Sequence, residues 1–104
     1  MLGALKSLLG FGPKVEFAQL VKEGALIIDV RSPGEFSGGH IKGSKNIPLD
    51  SLGQNLNKIP KDKVIITCCA SGMRSGVGKG ILKSKGYTVH NGGGWASLNA
   101  KLNR

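Results

Sequence analysis

Cysteine is nearly absent. The chain has two, Cys68 and Cys69, and they are neighbours. Adjacent residues cannot supply the loop-closing crosslink that stabilises a small secreted protein. They do not make a zinc centre either, because the remaining soft ligands, His40 and His90, lack finger-like spacing. No metal or other cofactor is therefore implied, and free thiols suit a reducing compartment, the cytoplasm, better than export. Aromatic residues are sparse at 5%, and twelve of the fifteen basic residues are lysines scattered from Lys6 to Lys101. Nucleic-acid readers concentrate arginine and interleave stacking rings, so nucleic acid is not an expected partner. Acidic residues are also few, six against fifteen basic ones, for a formal charge of +9. Such a surface draws small anions at long range. Long apolar runs are missing too: none approaches the roughly 20 residues of a membrane span.

What is present is glycine, 17 of 104 residues, well above the average of about 7%. At 39% hydrophobic and 20% charged the composition is globular, and the length suits one α/β or similar domain with no room for a second core. Residues 1–12 place Leu2, Leu5, Leu8 and Leu9 at helical spacing beside one lysine. They lack the uninterrupted apolar centre and small-residue cleavage site of a signal peptide, so they read as an N-terminal arm, packed or frayed, ahead of a domain over 13–104.

Punctuation is clear from Pro13 onward. Pro13 and Gly24 bracket an amphipathic helix carrying Val15, Ala18, Leu20 and Val21. Residues 25–30, ALIIDV, read as a buried strand. Ser32 and Pro33 open a brief helix, and Asn46-Ile47 form a short strand ended by Pro48. Asp50 is expected to cap a polar helix to about Lys58. Residues 64–67, VIIT, make a second apolar strand that runs into the cysteines. A helix over about 75–85 is expected to turn Val77, Ile81 and Leu82 inward and stop at Gly86. Tyr87 to His90 form another strand, residues 91–94 a turn, and a last helix carries Leu98. Strands alternating with helices predict a mainly parallel sheet of four to five strands with helices on both faces.

The loop TCCASGMRSG joins the end of one such strand to the start of a helix, where ligands of open α/β sheets sit. Converging backbone N–H groups, the positive end of a helix dipole and the Arg74 guanidinium together favour an anion, and Gly72 permits the tight backbone this needs. The same field lowers a thiol pKa. At an ordinary value near 8.5 only about 3% of a thiol is ionised at pH 7, whereas at about 6.5 the thiolate is the majority form and a nucleophile. Cys68 reads as a small core residue. Cys69 is followed by glycine, serines and arginine, poor core material, and is the candidate nucleophile. Adjacent thiols also suggest a vicinal disulfide under oxidation, a reversible off-switch.

Four separated pieces of the chain, in order, resemble the rhodanese domain family. Residues 28–49, IDVRSPGEFSGGHIKGSKNIPL, resemble its first signature through Asp29, Arg31, Glu35, Phe36, His40, Ile41, Gly43, Asn46, Ile47 and Pro48; residues 69–75, CASGMRS, resemble its active-site loop. Gly86-Tyr87 and Asn91 with Gly93-Gly94 resemble the closing elements. The resemblance implies a sulfurtransferase: Cys69 takes the outer sulfur of an anionic donor such as thiosulfate as a persulfide, and a thiol or cyanide removes it. It implies that Ala70, Ser71, Gly72, Met73 and Arg74 cradle the substrate, and that Asp29, Arg31, Glu35 and His40 form a structural polar network. Read from Cys69 the loop is C-x4-R, the sulfur-transfer form; read from Cys68 it is C-x5-R, the form of rhodanese-fold phosphatases and arsenate reductases. A non-catalytic sulfur-relay or regulatory module docking a protein partner is a third reading. Thiosulfate enzymes of the family often carry a second basic residue in the loop, where this chain has apolar Ala70 and Met73.

Overall fold

The computed structural model describes residues 15–103; the expected arm at 1–12 and the helix start at Pro13 lie outside them. Four strands, β1 (Leu26–Asp29), β2 (Lys45–Asn46), β3 (Ile65–Cys69) and β4 (Val89–Gly94), pair in the order β2-β1-β3-β4, all parallel. Parallel neighbours need crossovers, and helices supply them on both faces: α1 (Phe17–Lys22), α2 (Pro33–Ser37), α3 (Met73–Ser84) and α4 (Trp95–Leu102), with two short 3-10 turns at Leu49–Gln54 and Leu56–Lys58. Among the described residues no helix is long and apolar enough to cross a membrane.

Strand side chains alternate faces, so the isoleucine pairs of β1 and β3 divide between two cores. Ile28, Val30, Ile65 and Cys69 face a cluster with Leu52, Leu82, Tyr87 and Val89, beneath α3 and the 3-10 turns. Ile27, Ile66 and Cys68 face the other, with Ile41 and Leu98, beneath α1 and α4. One-residue steps along a strand therefore decide which core a side chain joins.

Local signals account for several boundaries. Ser32 and Glu35 close a reciprocal capping box around α2, with Pro33 in its first turn. Gly86, at φ +91°, ends the α3 segment in the left-handed region. Other expectations are corrected. Asp50 caps no α-helix: the stretch after Pro48 folds as 3-10 turns without a side-chain cap, with Leu52 buried and Leu49 and Leu56 packed against the core. Val15, Val21 and Val77 are exposed; of the expected apolar residues of α1 Leu20 packs on the core, joined by Phe17, and α3 starts two residues earlier than expected, at Met73.

Residues 91–94 are not a turn but the end of β4. Between Thr67↔Asn91 and Cys69↔Gly94 the register slips by one residue, a bulge with Gly93 at φ +81°. The glycines there let backbone approach backbone: a Cβ on Gly92 would lie 2.8 Å from both Leu98 Cδ2 and the Thr67 carbonyl oxygen, and one on Gly94 would lie 2.9 Å from the Ala70 carbonyl oxygen. On α3, Gly78 is packed, with its Cβ position 3.3 Å from Val30 Cγ1, whereas Gly80 faces open space. Nothing in the structure explains glycine at position 80.

Two alanine substitutions are expected to act in opposite directions. Gly92→Ala should destabilise by about 1–3 kcal/mol through overpacking. Gly80→Ala should stabilise by about 0.5–1 kcal/mol through helix propensity. Urea unfolding midpoints measure both, and equal midpoints for the two variants would contradict the packing described.

Candidate active site

β3 ends at Cys69, and Gly72, at φ +107°, turns the chain into α3. The tight turn folds the loop back over the sulfur, and the Gly72 N–H donates to Cys69 Sγ at 2.9 Å. Ser75, fully buried in the first turn of α3, places its hydroxyl 3.4 Å from the same sulfur. That hydroxyl is held by Asn91 Oδ1 at 2.7 Å, and Asn91 Oδ1 also accepts from the Gly93 N–H at 2.9 Å. The β4 bulge thus aims Asn91 at Ser75 and Ser75 at the sulfur.

Two influences on the Cys69 thiol oppose one another. Burial pushes its pKa up, since a thiolate loses hydration. Hydrogen bonds from Ser75, both hydroxyl and backbone, and from the Gly72 and Ser71 N–H groups pull it down, and the net result is a pKa below the ordinary value. Cys68 goes the other way. It has no exposed surface; burial, and then the Asp29 carboxylate beside it, push its pKa up to about 12. Asp29 pairs with Cys68 across β1 and β3, so both point to the same face. Of the two cysteines only Cys69 combines a lowered pKa with a place at the loop. Both thiols are free, and the alternation sends the two sulfurs into opposite cores, so a vicinal disulfide would require the end of β3 to rearrange.

The other anticipated residues divide. Gly72 turns its N–H to the sulfur and the Ser71 amide helps lower the thiol pKa, while Ala70 contributes backbone against Gly94 and Met73 is 82% exposed. Arg74 Nη1 and Nη2 donate to the Glu35 carboxylate at 2.7 and 2.9 Å, a bidentate pair on the surface. Hydrogen bonding by Arg74, then by the Ser32 backbone, lowers the Glu35 pKa to about 2.

Asp29 and Arg31 form a buried ion pair at 2.7 Å, and Arg31 also donates to the Gly39 and Glu35 carbonyls at 2.7 and 3.3 Å. Its guanidinium lies 4.8 Å from the centre of the Trp95 ring, which gives that tryptophan a place beneath the α2 loop. Glu35 belongs to this group through its backbone and to Arg74 through its side chain. His40 stands apart, with Nδ1 donating to the Phe36 carbonyl at 2.8 Å and its ring stacked on Phe36.

Sequence reasoning assigned no role to Ser75 or Asn91. Both lie inside the segments that carry the resemblance, but a buried serine in a helix and an asparagine before three glycines give no chemical signal alone. Their function appears only when the bulge brings β4 against α3.

Comparison with known proteins agrees with this geometry. The uncharacterized protein YqhL of Bacillus subtilis is 47% identical over 64 residues, 62% of this chain and 51% of its own. The thiosulfate sulfurtransferase PspE of Escherichia coli is 39% identical over 70 residues, 64% of this chain and 67% of its own. The chain thus spans about half to two thirds of the length of these curated relatives. Among solved structures, reduced Bacillus anthracis CoADR-RHD superimposes with a TM-score of 0.75 at 41% identity, covering 95% of this chain and 18% of that one. The rhodanese-like domain model matches residues 14–101, and the chain belongs to the rhodanese-like domain family.

Proposed function

We propose that the protein is a sulfurtransferase that carries a sulfane sulfur on Cys69. The observation that carries this reading is one buried sulfur that accepts from the Gly72 N–H, lies against the Ser75 hydroxyl and has a pKa below the ordinary value. In the first half-reaction the Cys69 thiolate attacks the outer sulfur of a donor such as thiosulfate. The donor S–S bond breaks, its electron pair leaves with sulfite, and a Cys69 persulfide forms. The Gly72 and Ser71 amides hold the negative charge, first on the thiolate and then on the persulfide, and the Ser75 hydroxyl, which accepts from the protonated thiol, turns its proton from Asn91 to the sulfur once the thiol ionises. In the second, a thiol or cyanide takes the outer sulfur and Cys69 returns to thiolate. Residues 13–104 act as the domain, with 1–12 as an arm, and the final acceptor is a small thiol or a protein relay partner.

Asp29, Arg31 and Glu35 then serve as scaffold, and His40, on the far side of Phe36, takes no part in proton transfer. The Cys68 phosphatase or arsenate reductase reading has no support in the geometry: that thiol is buried in the opposite core and holds its proton. A purely non-catalytic module would have no use for the donors gathered on Cys69.

Incubation with thiosulfate followed by intact mass measurement should show a gain of one sulfur atom. The gain should vanish in Cys69→Ser and persist in Cys68→Ala, which keeps the core apolar. Absence of the gain with every sulfane donor overturns the assignment.

The rate of iodoacetamide alkylation at Cys69 should rise with pH and level off below the range of an ordinary thiol, because the folded protein favours the thiolate. Ser75→Ala removes a hydrogen bond to the charged form, so the midpoint should move upward and the thiolate fraction at pH 7 should fall on the order of tenfold. An unchanged profile in that variant would remove Ser75 from the mechanism.

A further inference from the structure

The Ser75 hydroxyl has a single proton to donate, and three acceptors surround its oxygen. Asn91 Oδ1 lies at 2.7 Å, the Gly72 carbonyl oxygen at 3.0 Å and Cys69 Sγ at 3.4 Å. While the thiol is protonated it donates to the Ser75 oxygen, and the Ser75 proton goes to Asn91, the nearest acceptor. Once the thiol ionises, the sulfur competes for that same proton. Giving it up strands neither of the other acceptors. Asn91 Oδ1 keeps the Gly93 N–H at 2.9 Å, and the Gly72 carbonyl keeps the Gly76 N–H at 3.1 Å and Asn91 Nδ2 at 3.4 Å. The turn of one O–H bond therefore leaves no acceptor unpaired, which is the costly outcome beside a buried group.

Asn91 is held in this place from both ends of its amide. The oxygen reaches α3 through Ser75 and the β4 bulge through Gly93, and the nitrogen reaches the reactive loop through Gly72. Gly76 makes the room, since a Cβ there would stand 3.3 Å from Asn91 Nδ2. An amide also has the right strength. Its neutral oxygen orients the hydroxyl yet yields to a thiolate, because hydrogen bonds to ionised acceptors are roughly twice as strong as those to neutral ones. A carboxylate in its place would compete with the sulfur on equal terms and would have no N–H for Gly72.

Resting on the sulfurtransferase reading above, we propose that Asn91 is a positioning residue for the reaction: its amide holds the Ser75 hydroxyl beside Cys69 and releases that hydroxyl's proton to the sulfur whenever the sulfur carries charge. Ser75 keeps its own proton throughout, and the proton lost by the thiol passes to water. The same turn recurs when an acceptor takes the outer sulfur and the S–S electron pair returns to Cys69. Among the described residues, charge reaches the sulfur from Arg74, which Glu35 of α2 holds, and through the sheet from Cys68 with Asp29 and Arg31. Tyr87, in the same core, has its hydroxyl on the Leu56 and Ile59 carbonyls, and His90 alternates to the face of β4 opposite Asn91. The substitutions below leave all of these in place.

Iodoacetamide alkylation of Cys69 across pH needs no sulfur donor and reads the thiolate directly. Asn91→Asp should move the midpoint upward and lower the thiolate fraction at pH 7 by about tenfold. With Ser75→Ala already present, the same substitution should lower it by about threefold or less, the effect of a nearby carboxylate without the hydroxyl between. Equal shifts in the two backgrounds would make the carboxylate a bare charge and overturn the inference. Thiosulfate loading of Asn91→Asp, followed by intact mass, should fall by the same factor at pH 7 and recover above the new midpoint; a loss that persists there overturns the inference too. If the aspartate variant does not fold, Asn91→Ala carries the comparison, with an upward shift of about threefold when Ser75 is present and none when it is absent. An alkylation profile unmoved by either substitution removes Asn91 from the reaction while leaving the sulfurtransferase intact. Failure of wild-type Cys69 to load from any sulfane donor instead overturns the underlying reading.

Discussion

The site depends on an uneven contest over one sulfur. Burial at the end of β3 favours the neutral thiol, and the hydrogen bonds of a single tight turn favour the anion. At Cys69 the donors prevail; at Cys68, one residue earlier and without them, burial prevails. The two outcomes differ because a strand presents successive side chains to opposite faces. One face lies under the start of α3, where amides without helical partners converge. The other lies under α1 and α4, beside an aspartate already committed to Arg31. Strand order matters for the same reason. With β3 central in β2-β1-β3-β4, the loop after it is flanked by the ends of β1 and β4, and each neighbour supplies part of the surroundings: Val30 from the end of β1, Asn91 and the bulge from β4.

Much of this was legible in the residues. The apolar runs around Ile27 and Ile65 marked the buried strands, Ser32-Pro33 marked the start of α2, and the four family-like segments marked the fold and the reactive loop. The misses share a cause. Helical spacing groups Val15 and Val21 with the apolar residues of α1 and turns Val77 inward on α3, yet spacing fixes only which residues share a face, and the partner element decides which face is covered. Residues 91–94 looked like a turn because glycine usually punctuates; here it makes room for Leu98 and the carbonyls of Thr67 and Ala70, a demand set by packing between elements distant in sequence. Ser75 and Asn91 were hidden for that reason as well. The position of Arg74 in the loop is visible in the sequence, whereas its partner Glu35, thirty-nine residues earlier, is not.

That partner separates global from local electrostatics. A formal charge of +9 raises the concentration of anions around the molecule, and Debye screening limits this to about 8–10 Å at ordinary salt. Inside that distance recognition depends on which charges are free, and the cation nearest the loop is spent on Glu35. Long-range attraction without a matching unpaired cation at the destination favours encounter over retention. The dipoles that remain, amide and hydroxyl, point at Cys69 itself and stabilise charge on the sulfur. The chain therefore places its short-range electrostatics on the nucleophile.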